Sequence, residues 1–216
     1  MEQYVLPARR GIEVWCENHP SLLAVFDRFN QQAIRWGIFS GTAVELLVGA
    51  RTGEDVDLLL HNEDFDRVPP LLPNPVVERN KLVEIACDDQ QWLRYRADEI
   101  TAEVDGRQLQ IMRSAGGVYC GTHRYEMSLT DLAAENRLSV EVNGVVVYFA
   151  HPFETMAIKA AMQRGSLCQK QDLPDVQALA ARGSMPSEYV HLRAAEMGLD
   201  ERVQTFLGRA GLQLAS

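Results

Sequence analysis

Two acids, Asp55 and Asp57, stand one residue apart and run straight into three leucines. Residues i and i+2 of a strand share a face, so the pair aims one way and Val56 the other. Two ionised carboxylates that close repel each other, and desolvation at the mouth of a buried strand adds to the cost. A divalent cation removes both problems. Magnesium takes hard oxygen ligands, usually one or two carboxylates completed by phosphate oxygens and water. Upstream, Ser40, Gly41 and Thr42 stand where a helix begins. Glycine there lets backbone N–H groups approach a phosphate, the helix N-terminus favours its charge, and Ser40 and Thr42 can add hydroxyl donors. Along the chain, a phosphate-binding turn, a short helix, a basic residue (Arg51) and a metal-binding strand thus follow one another. The plain alternative is two solvated acids in the loop before a strand.

These residues need elements to position them. "SLLAVFDRFNQQAIRWG" has apolar residues at helical spacing, with Ser21 near its start and Gly37 placed to end it. "IFSG" reads as a short extended piece, and "TAVELLVGA" as a short helix beginning just after Gly41. "VDLLL" is too short and too uniformly apolar for an amphipathic helix, and reads as a strand buried on both faces. "NEDFDRVPPLLPNP" begins as a short helix and stops at prolines. Asp105-Gly106 and Asn143-Gly144, each between alternating runs, predict two tight hairpins. After His151-Pro152 four helical segments follow, each read as closed by glycine. The expectation is an α/β (α+β) chain: a mixed sheet flanked by helices over residues 1–150, and a helical C-terminal region over 151–216.

Composition narrows the function classes. The chain has 216 residues, 46% hydrophobic and 24% charged, with a formal net charge of −9. No chain-wide basic footprint exists, so an extended nucleic-acid surface is not expected. Four cysteines lie tens of residues apart without a C-x-x-C pair, which favours free thiols over a zinc ribbon or disulfides. No apolar run reaches the roughly 18 residues of a membrane span, and "MEQYVLPARRG" lacks the apolar core of a signal peptide. A cytoplasmic protein without a membrane partner is expected.

The stretch "SGTAVELLVGARTGEDVDLLL" resembles the signature of the DNA polymerase beta-type nucleotidyltransferase superfamily. That signature is Gly-Gly or Gly-Ser at a helix start, followed by an acidic D-x-D. The nearest variety in pattern is the bacterial AbiEii-like group and related uncharacterised nucleotidyltransferases. Ser40, Gly41, Thr42 and Ala43 match its first part, and Arg51, Thr52, Asp55 and Asp57 its second. Downstream, Pro152, Lys159, Lys170, Asp172, Asp175 and Leu179 fill the places of a second segment such proteins carry after the sheet.

The resemblance implies transfer of a nucleoside monophosphate from an NTP to an acceptor, with two Mg²⁺ ions held by Asp55 and Asp57 and with Lys159 near the triphosphate. Read alone, Lys159 is a helix lysine with a snorkelling stem, and Asp172 is an ordinary N-cap. A third carboxylate, from the strand after the first hairpin, completes such sites and accepts the acceptor's proton. Here that position is Gln110, a poor proton acceptor. Glu103, opposite Gln108 if the hairpin closes over Asp105-Gly106, is the nearest substitute, with Asp98 or Glu99 serving in another register. "RYRADE" (94–99) reads as a solvated strand edge. The glycine-rich 116–126 stretch reads as a covering loop or a connector, and a Cys120–His123 nucleophile lacks an evident base.

Two readings follow. One is a Mg²⁺-dependent nucleotidyltransferase whose acceptor is tRNA, a protein or a small molecule. The other keeps the fold but has lost catalysis at Gln110, and serves as a nucleotide- or partner-binding module, including a toxin–antitoxin-like one.

Overall fold

The computed structural model describes residues 2–49, 53, 55–89, 91–114, 117–165, 168–183, 185 and 187–212. Two helices, α1 (Glu2–Asn18) and α2 (Pro20–Gln31), precede the short strand β1 (Trp36–Ile38) and the helix α3 (Ser40–Val48). Next come β2 (Asp55–Leu60), two 3₁₀ turns, and the strands β3 (Val76–Ala86), β4 (Trp92–Val104) and β5 (Arg107–Ser114). The small hairpin β6 (Val118–Cys120) and β7 (His123–Tyr125), helix α4 (Asp131–Glu135) and the hairpin β8 (Leu138–Val142) and β9 (Val145–Phe149) complete the sheet-forming part. Helices α5 (Pro152–Met162), α6 (Asp172–Ala180), α7 (Ser187–Met197) and α8 (Glu201–Arg209) follow. None of the helices among the described residues is long and apolar enough to cross a membrane.

One mixed sheet of nine strands runs in the order β7-β6-β4-β5-β2-β1-β9-β8, with β3 on the free side of β4. The pairs β2–β5 and β1–β9 are parallel, and the others are antiparallel. Both predicted hairpins close as expected. Asp105 and Gly106 have φ of 52° and 73°, and Asn143 and Gly144 have 50° and 81°, the left-handed pairs a type I′ turn needs.

The sheet is buried from both sides at its centre, while β3 is largely exposed. Val56, Leu58, Leu109 and Ile111 face a core built with α1 and α2, including Ile12, Phe26 and Phe29. Leu59, Leu93 and Ala97 face a second core built with Phe153, Met156, Val176 and Leu207 of the C-terminal helices. The strand read as buried on both faces is so: Val56, Leu58, Leu59 and Leu60 are all buried. Residues on both sides of position 150 line this second core, Leu59 and Leu93 before it and Phe153 and Val176 after it. The four cysteines carry no disulfide.

Several local expectations are corrected. Gly37 does not end α2. The helix stops at Gln31, Ala33 takes a left-handed φ of 50°, and Gly37 sits inside β1. A Cβ there would lie 2.5 Å from the Ala150 backbone nitrogen, so glycine permits the close approach of β1 to β9. Helix α3 starts at Ser40, ahead of Gly41. Helix α5 is capped by the left-handed Gln163, before the glycine is reached. Residues 94–99 are not a sheet edge, because β4 has β3 on one side and β5 and β6 on the other.

Candidate active site

Asp55 and Asp57 lie on the face of β2 that turns toward the C-terminal helices, at the end of the strand where that core gives way to a cavity of about 510 Å³. Ser40, Gly41 and Thr42 line the same cavity. The loop from β1 into α3 is bound directly to the acid strand. Phe39 N–H donates to the Asp57 carbonyl (3.0 Å), the Thr42 hydroxyl donates to the Asp55 carbonyl (3.0 Å), and Asp57 N–H donates to the Thr42 oxygen (3.1 Å). The hydroxyl of Thr42 is thus committed to the backbone of the acid pair, fixing its distance from the helix start. Ser40 holds an uncommon left-handed φ of 56°, with its N–H on the Thr155 hydroxyl at 3.0 Å. Among the described residues no protein acceptor meets the Gly41 or Thr42 N–H, the orphan donors of a helix start.

Burial pushes the Asp57 carboxyl above its ordinary range. A hydrogen bond from Ser40 opposes that rise, Asp55 adds to it, and Lys159 and Arg164 work against it. An acid held in this way beside another acid is suited to a cation. Oxygen ligands from Asp55 and Asp57, with open space beside them for phosphate, match what Mg²⁺ takes. Among the described residues no cluster of three or more His, Cys, Asp or Glu side chains forms a closed metal cage.

The opposite wall is cationic. Lys159 of α5 lines the cavity, but it is only 2% exposed and its ammonium lies 3.2 Å from Asp172 and 2.9 Å from Asp175. Asp172 does not cap α6; Gln171 holds the cap position. Fully buried, Asp172 instead accepts from Lys159, from the Arg164 backbone (2.8 Å) and from Arg164 Nε (3.0 Å). Burial alone would lower the Arg164 pKa, but the Asp172 carboxylate outweighs it and holds the guanidinium firmly charged. Arg164 and Lys170 both line the cavity. Arg51, with Thr52 of the same motif, lies outside the described residues.

The strand register places the remaining acids. Asp57 pairs with Gln110 and Asp55 with Gln108 across the parallel β2–β5 ladder. Glu103 pairs with Gln108 on the far side of β5, so it stands two strands, roughly 10 Å, from Asp55. It is exposed, and lines a separate depression with Asp55 and Gln108. Glu99, only 4% exposed, lines the main cavity. Its carboxylate accepts from the amide of Gln110 and from Lys81. Burial opposes its ionisation, but these two hydrogen bonds outweigh that and lower its pKa.

Asp98 has turned to the other face, where it accepts from Arg113, Arg79 and the Asn80 N–H. Burial opposes its charge, but those bonds prevail and bring its pKa down to about 2. A depressed carboxyl stabilises the fold above its unfolded pKa of about 4, and that contribution disappears as pH falls toward the folded value. Asp98→Asn is therefore expected to flatten the loss of stability between about pH 4 and pH 2, read by urea unfolding across that range.

Neither weaker candidate forms a site. Residues 118–125 are the β6–β7 hairpin. Burial pushes up the Cys120 pKa, its thiol donates to Gln91 at 3.0 Å, and the His123 ring bonds the Gly198 carbonyl at 2.6 Å. Sequence reasoning missed Arg164 and Lys81. The signal for Arg164 lay in its position between the Lys159 helix and the Asp172 helix. Lys81 had none, because β3 was not foreseen.

A family model described as aminoglycoside-2''-adenylyltransferase matches residues 21–138. That span takes in Ser40, Asp55, Asp57, Glu99 and Gln110, and stops short of the cationic wall. The match is to a nucleotidyltransferase-type family, and so supports the superfamily rather than the AbiEii-like group in particular. No curated protein matches the chain.

Proposed function

Because the chain belongs to the aminoglycoside-2''-adenylyltransferase family, we propose that it transfers a nucleoside monophosphate, with ATP the leading donor, to a hydroxyl of a small acceptor. The observation that carries this reading is the joining of Thr42 to both Asp55 and Asp57, which holds a helix start and an acid pair as one unit at the cavity. The Gly41 and Thr42 N–H groups would bind phosphate oxygens, which the start of a helix favours. Arg164 and Lys170 face the polyphosphate from the other wall, while Lys159 acts chiefly through Asp172 and Asp175. Asp55 and Asp57 would hold Mg²⁺, which when bound neutralises the charge that develops on the reacting oxygens. In the transfer the acceptor oxygen bonds to the α-phosphorus, its hydroxyl proton passes to solvent, and the bond to pyrophosphate breaks so that pyrophosphate leaves. What the residues supply is positioning and charge.

The family's printed name makes an aminoglycoside the first acceptor to try. Incubation of the protein with α-labelled ATP, Mg²⁺ and an aminoglycoside is expected to move label onto the sugar. Other small hydroxyl compounds, tRNA and a test protein serve as parallel acceptors. Label on none of them, together with Mg²⁺-dependent ATP binding by calorimetry, would favour the second reading, a nucleotide-binding protein without transfer. The specific observation behind that second reading is the neutral Gln110 opposite Asp57.

A further inference from the structure

Gln110 is not merely a missing acid. It is the register partner of Asp57 and lines the same cavity. Its side-chain amide has two unlike ends: the NH₂ only donates and the carbonyl only accepts. Nε2 donates to one oxygen of Glu99, and the other Glu99 oxygen accepts from Lys81. An ionised carboxylate offers acceptors alone, so it selects the NH₂ end of the glutamine, and the lysine beside it favours the ionised form. The carbonyl Oε1 is thereby turned off Glu99. Among the described residues no protein donor takes it, and it is not a buried orphan, so it opens on the cavity.

We propose that Gln110 Oε1 is a third, neutral oxygen ligand for the cation held by Asp55 and Asp57, and that Glu99 and Lys81 are positioning residues that fix this oxygen toward it. The inference rests on the reading of the acid pair as a cation site. It assigns the strand-β4 acid a role behind the ligand and not as the ligand.

Mn²⁺ alone is the probe, and its binding to the full chain is read by loss of the free-ion EPR signal. Glu99→Gln frees the amide of Gln110 to turn over, and Gln110→Leu removes the oxygen. Each is expected to weaken Mn²⁺ binding roughly ten- to a hundred-fold. Lys81→Met, at a half-exposed lysine whose loss burdens the fold least, is expected to weaken it in the same direction. The exchange Glu99→Gln with Gln110→Glu is expected to recover binding, because a carboxylate at 110 presents oxygen from either end and accepts from the new amide. Native-like Mn²⁺ binding by both Glu99→Gln and Gln110→Leu, beside its loss in Asp57→Asn, would overturn this proposal and leave the functional reading standing. Unchanged binding in Asp57→Asn would overturn both.

Discussion

Asp57→Asn is expected to abolish nucleotidyl transfer and at the same time to make the metal-free protein slightly more stable. The loss of activity should be on the order of 10²–10³ in kcat/KM, the usual cost of removing a charged group that acts on the reacting centre. The gain in stability follows from the sign of the linkage. A carboxyl whose pKa is raised by folding binds its proton more tightly in the folded state, so stability is greatest at low pH and falls as pH rises through the raised value. At neutral pH the native chain carries a penalty, because burial and the neighbouring Asp55 both disfavour the charge. Asparagine carries none of it. A gain of about 1 kcal/mol, or a rise of about 2–4 °C in Tm, is expected without metal. Added Mg²⁺ with ATP should raise the Tm of the native protein and leave the variant where it is. Scanning calorimetry at neutral pH decides the matter. A variant that is less stable than the native chain without metal would mean that Asp57 serves the fold, not a ligand.

Asp172→Ala should have the opposite profile, unfolding the protein before it says anything about catalysis. Asp172 is fully buried and holds two cations, Lys159 and Arg164. Removing one partner of a buried pair leaves an uncompensated charge and costs about 3–5 kcal/mol. Against a total stability of about 5–15 kcal/mol this is a large fraction. Urea unfolding is the measurement. A change below about 1 kcal/mol would show that water reaches the pair, and Lys159 would return to candidacy as a direct phosphate contact.

The parts of this molecule that could be read from the chain are those settled within a few residues. The acid pair declares its shared face by spacing alone, the Asp-Gly and Asn-Gly turns name their hairpins, and the four C-terminal helices show their apolar faces. Helix α1 was not legible because Pro7 and Gly11 interrupt it, although Tyr4, Ala8, Ile12 and Trp15 form a buried stripe. Strand β3 was not legible because its residues are largely exposed and its apolar and charged positions do not alternate. The place of the third acid depended on register across two strands, which put Glu99 at the cavity and Glu103 outside it. The role of Gly37 depended on Ala150, more than a hundred residues away. In these last two cases the deciding neighbour is remote in sequence.

That remoteness also governs how the molecule comes into being. Ile38 must find Phe149, and residues 55–59 must find 108–112, in parallel pairings that no tight turn can nucleate. Such long-range contacts make folding slow, because loop closure precedes any reward from pairing. On the ribosome the acid pair is synthesised early, while the carboxylates that hold Lys159 in place emerge only with α6. The cleft therefore cannot exist in a chain that has not yet reached α6: its two walls meet only once that helix has followed the sheet.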